Sequence, residues 1–215
     1  MISLRSLAKG YSARETVLEV PEYVFDRGDL VSLVGPNGCG KSTLLMVMAG
    51  LLDPTRGIVT VDGHLAGSLA ARALVSFIPD KPALFDDLTV AEQMTYVARL
   101  NGLDQPYEVS ERLVEVLEAG DLLDRFPRSL SKGQRQKAGI LVGTSRPFDA
   151  LLLDEPTSGL DSESHAGLID ELTTLAADDQ LVIASTHTKD LMAASTTVAR
   201  IVDGVLTDED TEQSE

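Results

Sequence analysis

The sequence predicts an α/β fold in which helices flank a mostly parallel β-sheet, with a small antiparallel β element and an inserted α-helical subdomain. Short apolar segments alternate with segments of helical periodicity along most of the chain, as in strands joined by helices. Between residues 79 and 128 only helical patterns occur, which predicts the insertion. Gly57–Gly63 is typical of a short hairpin element. A single domain is predicted to span residues 1–206.

The strands of the predicted sheet are short apolar runs. In chain order they are Asp29–Gly35, Leu74–Ile78, Ala150–Asp154, Leu181–Ser185 and Ala199–Leu206. A helix is predicted from Lys41 to about Gly50, and another carries Leu168, Leu172 and Leu175 at helical spacing. The alternation of these elements is typical of a doubly wound sheet.

Two helices are predicted within the insertion. Thr89 and Glu92 have the spacing of a capping box, and Asn101–Gly102 ends the helix that they begin. A second helix carries apolar residues at helical spacing from Val109 and ends at Gly120.

The composition excludes several classes of partner. The chain has 215 residues, of which 43% are hydrophobic, enough for a sizeable core. Lys and Arg number 18 against 34 Asp and Glu, and the net charge of −16 repels a phosphate backbone, so no nucleic-acid partner is expected. The single cysteine, Cys39, excludes an internal disulfide and a multi-cysteine metal site.

The cellular location of the chain is predicted from the length of its apolar runs, and the state of its C-terminus from its acidic composition. None approaches the roughly 18 residues that a membrane span needs, and the N-terminus lacks the apolar stretch of a signal peptide. We therefore expect a cytoplasmic chain. Residues 207–215 are acidic and without apolar residues after Thr207, which predicts a disordered tail.

The segment "GPNGCGKST" matches G-x-x-x-x-G-K-[ST] between a predicted strand and a predicted helix. Its residues, all candidates for nucleotide binding, are Gly35, Pro36, Asn37, Gly38, Cys39, Gly40, Lys41, Ser42 and Thr43. The glycines let backbone N–H groups surround an anion, and the helix directs its positive end at the same place. Lys41 would reach the outer phosphates and Ser42 would bind Mg²⁺. The alternative is a merely structural glycine turn.

Two acids follow another apolar strand. Asp154 closes the strand, where an unpaired carboxylate is costly, and Glu155 comes next. We assign Asp154 to Mg²⁺ and Glu155 to the general base that activates water, a role worth roughly 10²- to 10⁴-fold in rate. The alternative is an acidic cap for the next helix.

His187 lies just past the strand Leu181–Ser185. In a doubly wound sheet the carboxyl ends of several strands converge on one crevice, so His187 should meet Gly35 and Asp154 there. It could then polarise the terminal phosphate or orient the water. With Lys41 and Glu155, it is one of three candidate catalytic residues. The alternative is an ordinary hydrogen-bonded histidine, the interpretation we give to His64 and His165.

Ser131 and Gln134 have the spacing of a capping box at a second helix start. The Ser131 hydroxyl and the N–H groups near Gly133 would form another anion site. The helix after the phosphate loop already occupies one side of the nucleotide, so a second helix end must come from a partner chain. The alternative is a plain surface cap.

Together these motifs resemble the ATPase domain of ABC transporters, a fold of the P-loop NTPase class. "GPNGCGKST" resembles the Walker A motif, "LSKGQ" at Leu130–Gln134 the family signature, "LLLDEP" the Walker B motif, "SGLD" at Ser158–Asp161 the D-loop, and His187 the switch histidine. The resemblance covers Ile2 to about Leu206. It implies that Tyr11 stacks on adenine, although an ordinary exposed tyrosine is the alternative.

The sequence departs from that family at two positions. Asp80 stands where glutamine is usual in the loop that contacts Mg²⁺, so it is a candidate metal ligand, with an exposed turn acid as the alternative. A similar loop among ABC-2 type exporters favours export weakly. Lys132 stands where glycine is commoner and would add positive charge near a phosphate.

The resemblance implies an ATP-hydrolysing subunit that dimerises on ATP, with an identical or a different second ATPase, to drive a separate integral membrane permease. The permease would contact residues 79–128 and hold the chain at the inner face of the membrane. One alternative is a non-transport ABC protein acting on ribosomes or DNA, although this chain has one ATPase unit and no long coiled-coil insertion. Another is a binding module without turnover, which Glu155 and His187 disfavour. Stacking on Tyr11 leaves GTP open as the nucleotide.

Overall fold

The computed structural model describes residues 1–12 and 15–208 as two sheets with helices around them. The strands are β1 (Ile2–Ser12), β2 (Glu15–Phe25), β3 (Leu30–Val34), β4 (Arg56–Val61), β5 (His64–Leu65), β6 (Val75–Ile78), β7 (Ala150–Asp154), β8 (Leu181–Ser185), β9 (Thr197–Val202) and β10 (Val205–Asp208). The helices are α1 (Lys41–Met48), α2 (Leu69–Leu74), α3 (Val90–Leu100), α4 (Glu108–Val116), α5 (Lys132–Gly143), α6 (Ser162–Ala177) and α7 (Lys189–Ala194). Short 3₁₀ turns occur at Gly120–Leu122 and Pro127–Ser129.

The larger sheet is mostly parallel, as predicted. Its order is β10-β9-β3-β8-β7-β6, and only β10 runs antiparallel to its neighbour. Strands β3, β7 and β8 are buried along their whole length, which explains their continuous apolar sequences. The carboxyl ends of β3, β8, β7 and β6 lie side by side, so the residues that follow these strands meet at one edge.

Alternate residues of the strands build two cores, one on each face of this sheet. Leu151 and Val182 belong to the core that includes α3, α4, α5 and α6. Leu152 and Ile183 belong to the other core, with α1 and the second sheet. Among residues 1–12 and 15–208, no helix combines the length and apolar character needed to cross a bilayer.

The second sheet is antiparallel and larger than predicted. Its order is β2-β1-β4-β5, and only the β4–β5 hairpin was expected from Gly57–Gly63. Strand β1 escaped recognition because its alternation changes phase: Ile2 and Leu4 are buried, and so is Leu7 rather than Ser6. The irregularity coincides with a left-handed residue, Ser6, at φ 48°.

Helices α3 and α4 occupy the predicted insertion and pack against α5 and α6. Thr89 caps α3 in a capping box with Glu92, as the spacing predicted. The second helix ends at Val116 and not at Gly120, which lies in a 3₁₀ turn. Neither α2 nor α7 was expected, because each is only six residues long.

The C-terminal boundary differs from the predicted one. Strand β10 continues to Asp208 by pairing with β9, so residues 207 and 208 belong to the sheet rather than to an acidic tail. The remainder of the predicted tail, 209–215, lies outside the described residues.

One arginine joins the two sheets. The Arg27 guanidinium donates to Asp62 Oδ2 at 2.6 Å and to Asp149 Oδ1 at 3.2 Å. Asp62 lies in the β4–β5 turn and Asp149 immediately before β7. The two carboxylates raise the pKa of Arg27 above its ordinary value, so the guanidinium stays charged at any physiological pH.

Candidate nucleotide site

The loop between β3 and α1 depends on two glycines in left-handed or related conformations. Gly35 has φ 150°, and a Cβ there would lie 2.4 Å from the Ile201 carbonyl oxygen. Gly40 has φ 109° and precedes α1, and a Cβ there would lie 2.7 Å from the Leu18 side chain. No other residue type fits either position without strain, so the sequence pattern produces a loop whose backbone closes tightly before the helix.

Lys41 is held against this loop. Its ammonium donates to the carbonyl oxygens of Gly35 at 2.8 Å and Pro36 at 3.4 Å. Its Nζ also lies 3.3 Å from His187 Nε2. Only 8% of the residue is exposed, so a buried cation stands beside the positive end of α1. Buried charge of this sign calls for an anion.

A cavity of about 380 Å³ opens in front of the loop. Its lining residues are Tyr11, Val17, Asn37, Gly38, Gly40, Lys41, Ser42, Thr43, Asp80, Asp154 and Glu155. All of these except Val17 were predicted as site residues. The Tyr11 hydroxyl lies 3.0 Å from Thr43 Oγ1, while the Tyr11 side chain is 61% exposed. The ring is thus anchored at its tip and available for stacking.

Ser185 positions both acids, and sequence reasoning missed it. Its hydroxyl donates to Asp154 Oδ1 at 2.6 Å and accepts the Glu155 N–H at 2.8 Å. Ser185 is fully buried at the end of β8, directly beside the end of β7. The available hint was a polar residue closing the apolar run "LVIAS", next to a strand that ends in an acid.

Glu155 and His187 are in contact. His187 Nε2 lies 3.2 Å from Glu155 Oε1, so the imidazole stands between the glutamate and Lys41. Glu155 has φ 49°, an uncommon backbone conformation for a residue with a side chain. This turn lets Glu155 and the buried Asp154 both line the cavity, although neighbouring residues on a strand point to opposite faces.

Burial raises the pKa of Glu155 above its ordinary value. The positive charges of His187 and Lys41 oppose this change, and the negative charges of Asp154 and Asp80 add to it. A raised pKa makes the carboxylate a stronger base at neutral pH. Glu155 is therefore better suited to accept a proton than an exposed glutamate.

The cavity's oxygen donors fit a magnesium ion. Ser42, Asp80 and Asp154 all line it, and hydroxyl and carboxylate oxygens are what Mg²⁺ prefers. The described residues, 1–12 and 15–208, contain no cluster of three His, Cys, Asp or Glu that could hold a metal by itself. Mg²⁺ usually takes one or two carboxylates and completes its shell with substrate phosphates and water, so this donor set suits a metal that arrives with a nucleotide.

Some predicted residues lie outside this cavity. Gly35, Pro36 and His187 line an adjacent depression of about 260 Å³. Ser131, Gly133 and Gln134 are not among the lining residues. Ser131 and Gln134 form the predicted capping box at the start of α5, with Ser131 N–H donating to Gln134 Oε1 at 3.0 Å.

Cys39 differs from its prediction as a nucleotide-binding residue. Its side chain packs against the core shared by α1 and the second sheet, and its N–H donates to the Pro36 carbonyl at 3.2 Å. The Cys39 side chain is not among the residues that line the cavity, and its place in this core accounts for that.

Comparisons with known proteins agree with this geometry. The family model described as "ABC transporter" matches residues 19–158. The chain is 40% identical over 166 residues to the sn-glycerol-3-phosphate import ATP-binding protein UgpC of Cereibacter sphaeroides, covering 75% of this chain and 47% of that protein. It is 33% identical over 190 residues to an uncharacterized ABC transporter ATP-binding protein, YxlF, of Bacillus subtilis, covering 87% of this chain and 62% of that one.

Solved structures share the fold. One described as the ATP-binding subunit of an ABC transporter has a TM-score of 0.88 and 28% identity, covering 99% of this chain and 90% of that one. A dimeric ATP-binding cassette with ADP and Pi has a TM-score of 0.85 at 24% identity and covers both chains completely, and it shows likeness of fold alone.

The fold and the site define an ATP-binding domain with a phosphate loop. The chain belongs to the ABC transporter family. It spans about half the length of several curated relatives it matches, 47% of one and 56% of another. The relatives' names state import or no direction, so the weak expectation of export gains no support.

Proposed function

We propose that the chain hydrolyses ATP with Mg²⁺ as one half of an ATPase dimer that drives transport through a separate integral membrane permease. One observation carries this proposal: Lys41, Asp154 and Glu155 line one cavity, while the capped start of α5 in the same chain is not part of it. The cavity supplies one side of a nucleotide site, and a second chain would supply the other.

The phosphate loop and Lys41 bind the phosphates in this proposal. Backbone N–H groups before and at the start of α1 face the β- and γ-phosphates, and Lys41 exchanges its loop carbonyls for phosphate oxygens. Tyr11 stacks on the base. Ser42, Asp154 and Asp80 would hold Mg²⁺, which when bound neutralises developing charge on the phosphates.

Glu155 accepts a proton from the attacking water. Its raised pKa lets it take the proton near neutral pH, and His187 Nε2, 3.2 Å from Glu155 Oε1, holds the carboxylate in position. Ser185 donates to Asp154 Oδ1 at 2.6 Å and so holds this carboxylate in place beside Glu155.

The second chain contributes the start of its α5. Ser131 and the first N–H groups of α5 form an exposed helix end, and an exposed helix N-terminus favours an anion. Two chains placed head to tail would each close the other's cavity with this end. The second ATPase is either a copy of this chain or a different one.

The permease would contact the helical insertion, residues 79–128, and so keep the chain at the inner face of the membrane. The net charge of −16 is complementary to the Lys and Arg that membrane proteins place in cytoplasmic loops. We expect the complex of purified chain and permease to weaken as salt rises from 50 to 500 mM. Unchanged association would rule out a contribution of charge to docking.

Dimer formation tests the shared site. Glu155→Gln removes the general base and keeps the shape of the side chain, so Mg-ATP should trap a dimer that light scattering detects. The same variant with Ser131→Arg should stay monomeric, because the bulky cation blocks the helix end. A monomer with Glu155→Gln at saturating Mg-ATP would overturn the proposal.

Nucleotide affinity and turnover, measured together, distinguish residues that serve the chain's own nucleotide from those that serve the partner's. Ser131→Arg alone should keep nucleotide affinity within about threefold and abolish hydrolysis, because Ser131 serves the partner's nucleotide. Lys41→Ala should lose both nucleotide affinity and hydrolysis. Equal loss of affinity and turnover with Ser131→Arg would contradict a role in the partner's site.

A further inference from the structure

The segment Ser158–Asp161, which joins the β7 acids to α6, is fastened to α5 at several points. We refer to it below as the 158–161 segment. At the first point Lys132 Nζ donates to Ser158 Oγ at 3.1 Å. The sequence had suggested that Lys132 adds positive charge near a phosphate, but its ammonium is engaged within its own chain. This lysine stands immediately after the Ser131 cap.

At the second point two backbones touch. A Cβ on Gly133 would lie 2.2 Å from the Gly159 carbonyl oxygen, and Gly159 itself has φ 79°. No side chain fits on Gly133 without moving the 158–161 segment, because the obstructing atom belongs to the backbone. The first turn of α5 and this segment therefore lie in direct van der Waals contact.

At the third point a mostly buried lysine crosses between elements. Lys137 Nζ lies 2.9 Å from Asp161 Oδ2 and donates to the Leu117 carbonyl at 2.7 Å. Its side chain is 11% exposed. Asp161 also caps α6 by accepting the Ser164 N–H at 2.9 Å. Lys137 thus connects α5 with both the start of α6 and the end of α4.

We propose that Lys132 and Lys137 are positioning residues that clamp α5 to the 158–161 segment, so that the Ser131 helix end moves together with the chain that follows Glu155. The inference rests on the proposed function. In the dimer, the clamp would connect the acid of one chain's own cavity to the helix end that closes the partner's cavity. Occupancy of one nucleotide would then influence the other through a rigid contact.

Three contacts of different kinds support a clamp rather than a chance approach. Lys132 and Ser158 are joined at the surface, Gly133 and Gly159 through backbone, and Lys137 and Asp161 where one partner is largely buried. The mostly buried ammonium of Lys137 has two acceptors at short distance, Asp161 Oδ2 and the Leu117 carbonyl, and the two contacts together fix its position.

Hydrogen exchange of the nucleotide-free chain tests the clamp without any reference to turnover. Lys137→Met keeps the length of the side chain and removes the charge, and it should raise amide exchange about two- to tenfold in residues 132–136 and 158–164. Lys137→Arg should restore protection. Lys132→Met, at an exposed position where misfolding is not expected, should raise exchange in the same two segments.

A double-mutant cycle distinguishes the clamp from general loosening. Lys132→Met combined with Ser158→Ala should raise exchange no further than either change alone. Arg72→Met, an exposed basic residue on α2, serves as the matched control and should leave both segments unchanged. Additive effects, or increases spread over the whole chain, would overturn the clamp.

Kinetics then test its consequence for the dimer. Lys132→Met should lower kcat several-fold with little change in the KM for Mg-ATP, and the Hill coefficient for ATP should fall toward 1. An unchanged Hill coefficient would overturn the coupling role. If the unmodified chain shows no ATP turnover at all, the proposed function fails, whereas the exchange experiment still decides whether the clamp exists.

Discussion

Asp80 is the residue at which the site departs most from the pattern that it resembles. It lies past the end of β6 and lines the cavity with Asp154 and Glu155. Its negative charge adds to the burial that raises the pKa of Glu155, while glutamine would not. The sequence identified Asp80 as unusual, but its effect on Glu155 required the geometry.

We expect Asp80→Asn to move the acid limb of the pH–rate profile to lower pH. Removing the negative charge lowers the pKa of Glu155, so the base stays ionised further into the acid range. The measurement is kcat at saturating Mg-ATP from pH 5 to 9. Asp87→Asn, an exposed acid of the same loop, should leave the limb in place, and a shift to higher pH would contradict the assignment of Glu155 as the base.

Ser185 is the residue that the sequence did not reveal. We expect Ser185→Ala to destabilise the chain by about 1–3 kcal/mol, because the buried Asp154 carboxylate loses a donor at 2.6 Å. It should also weaken Mg-ATP binding, since the carboxylate is no longer held in place. Urea unfolding and nucleotide titration measure the two effects.

Ser76→Ala is the control for this experiment. Ser76 is also buried, but its hydroxyl donates to the Gly143 carbonyl at 2.7 Å, away from both acids. Its loss should lower stability without changing Mg-ATP affinity. Equal affinity of the two variants for Mg-ATP would refute a positioning role for Ser185.

Motifs located the candidate residues well where local chemistry dictates the backbone. Gly35, Gly40 and Lys41 could be placed in advance because the loop accepts few other residue types. Ser185 and the exact partner of Lys132 could not, since both depend on contacts between residues about 30 or 26 positions apart in the chain.

At the scale of elements, α5 packs closely against the loop after β6. A Cβ on Gly139 would lie 2.2 Å from Pro82 Cγ, and the proline ring cannot turn aside as a flexible side chain would. The loop that carries Asp80 therefore rests on the middle of α5. This contact fixes how far the loop can approach the cavity.

We expect Gly139→Ala to cost about 1–3 kcal/mol of stability by overpacking this contact. Thermal or urea unfolding measures the loss. Gly120→Ala is the matched control, because a Cβ there meets nothing within 4 Å, and it should be neutral or slightly stabilising. Equal stability of the two variants would show that the loop after β6 accommodates the added methyl group without loss of stability.

Elements with one regular period were predictable, and irregular ones were not. The buried strands β3, β7 and β8 were identified from continuous apolar runs, and α3 from its capping box. Strand β1 was missed because Ser6 shifts its alternation by one residue, so no window of the sequence has a period of two throughout. Register of this kind is set by β4, which lies far away in the sequence.

At the scale of the whole molecule, Arg27 links the antiparallel sheet to the parallel one. We expect Arg27→Met to lower stability by about 1 kcal/mol, the sum of two partly exposed ion pairs, and the loss to shrink in high salt. Arg56→Met removes the more exposed pair with Glu19 within a single sheet and should cost less. A larger loss for Arg56→Met would show that Arg27 does not join the sheets energetically.

The architecture as a whole followed from the alternation of strands and helices, but the relation of the two sheets did not. Arg27, Asp62 and Asp149 are spread over more than a hundred positions, and nothing in their local sequence marks them as partners. The predicted insertion at 79–128 came from helical patterns, whereas the boundary at 206 came from the acidic composition of the tail, and composition does not reveal strand pairing such as that of β9 with β10.

The left-handed backbone at Glu155 has a consequence for how this chain would change over generations. A side chain at φ 49° is strained, and glycine would relieve the strain while removing the proposed general base. Selection for thermal stability alone would therefore favour the replacement of Glu155 by glycine. If a thermostable variant still carried Glu155, this would indicate that the proposed role of this residue as a general base remained under selection.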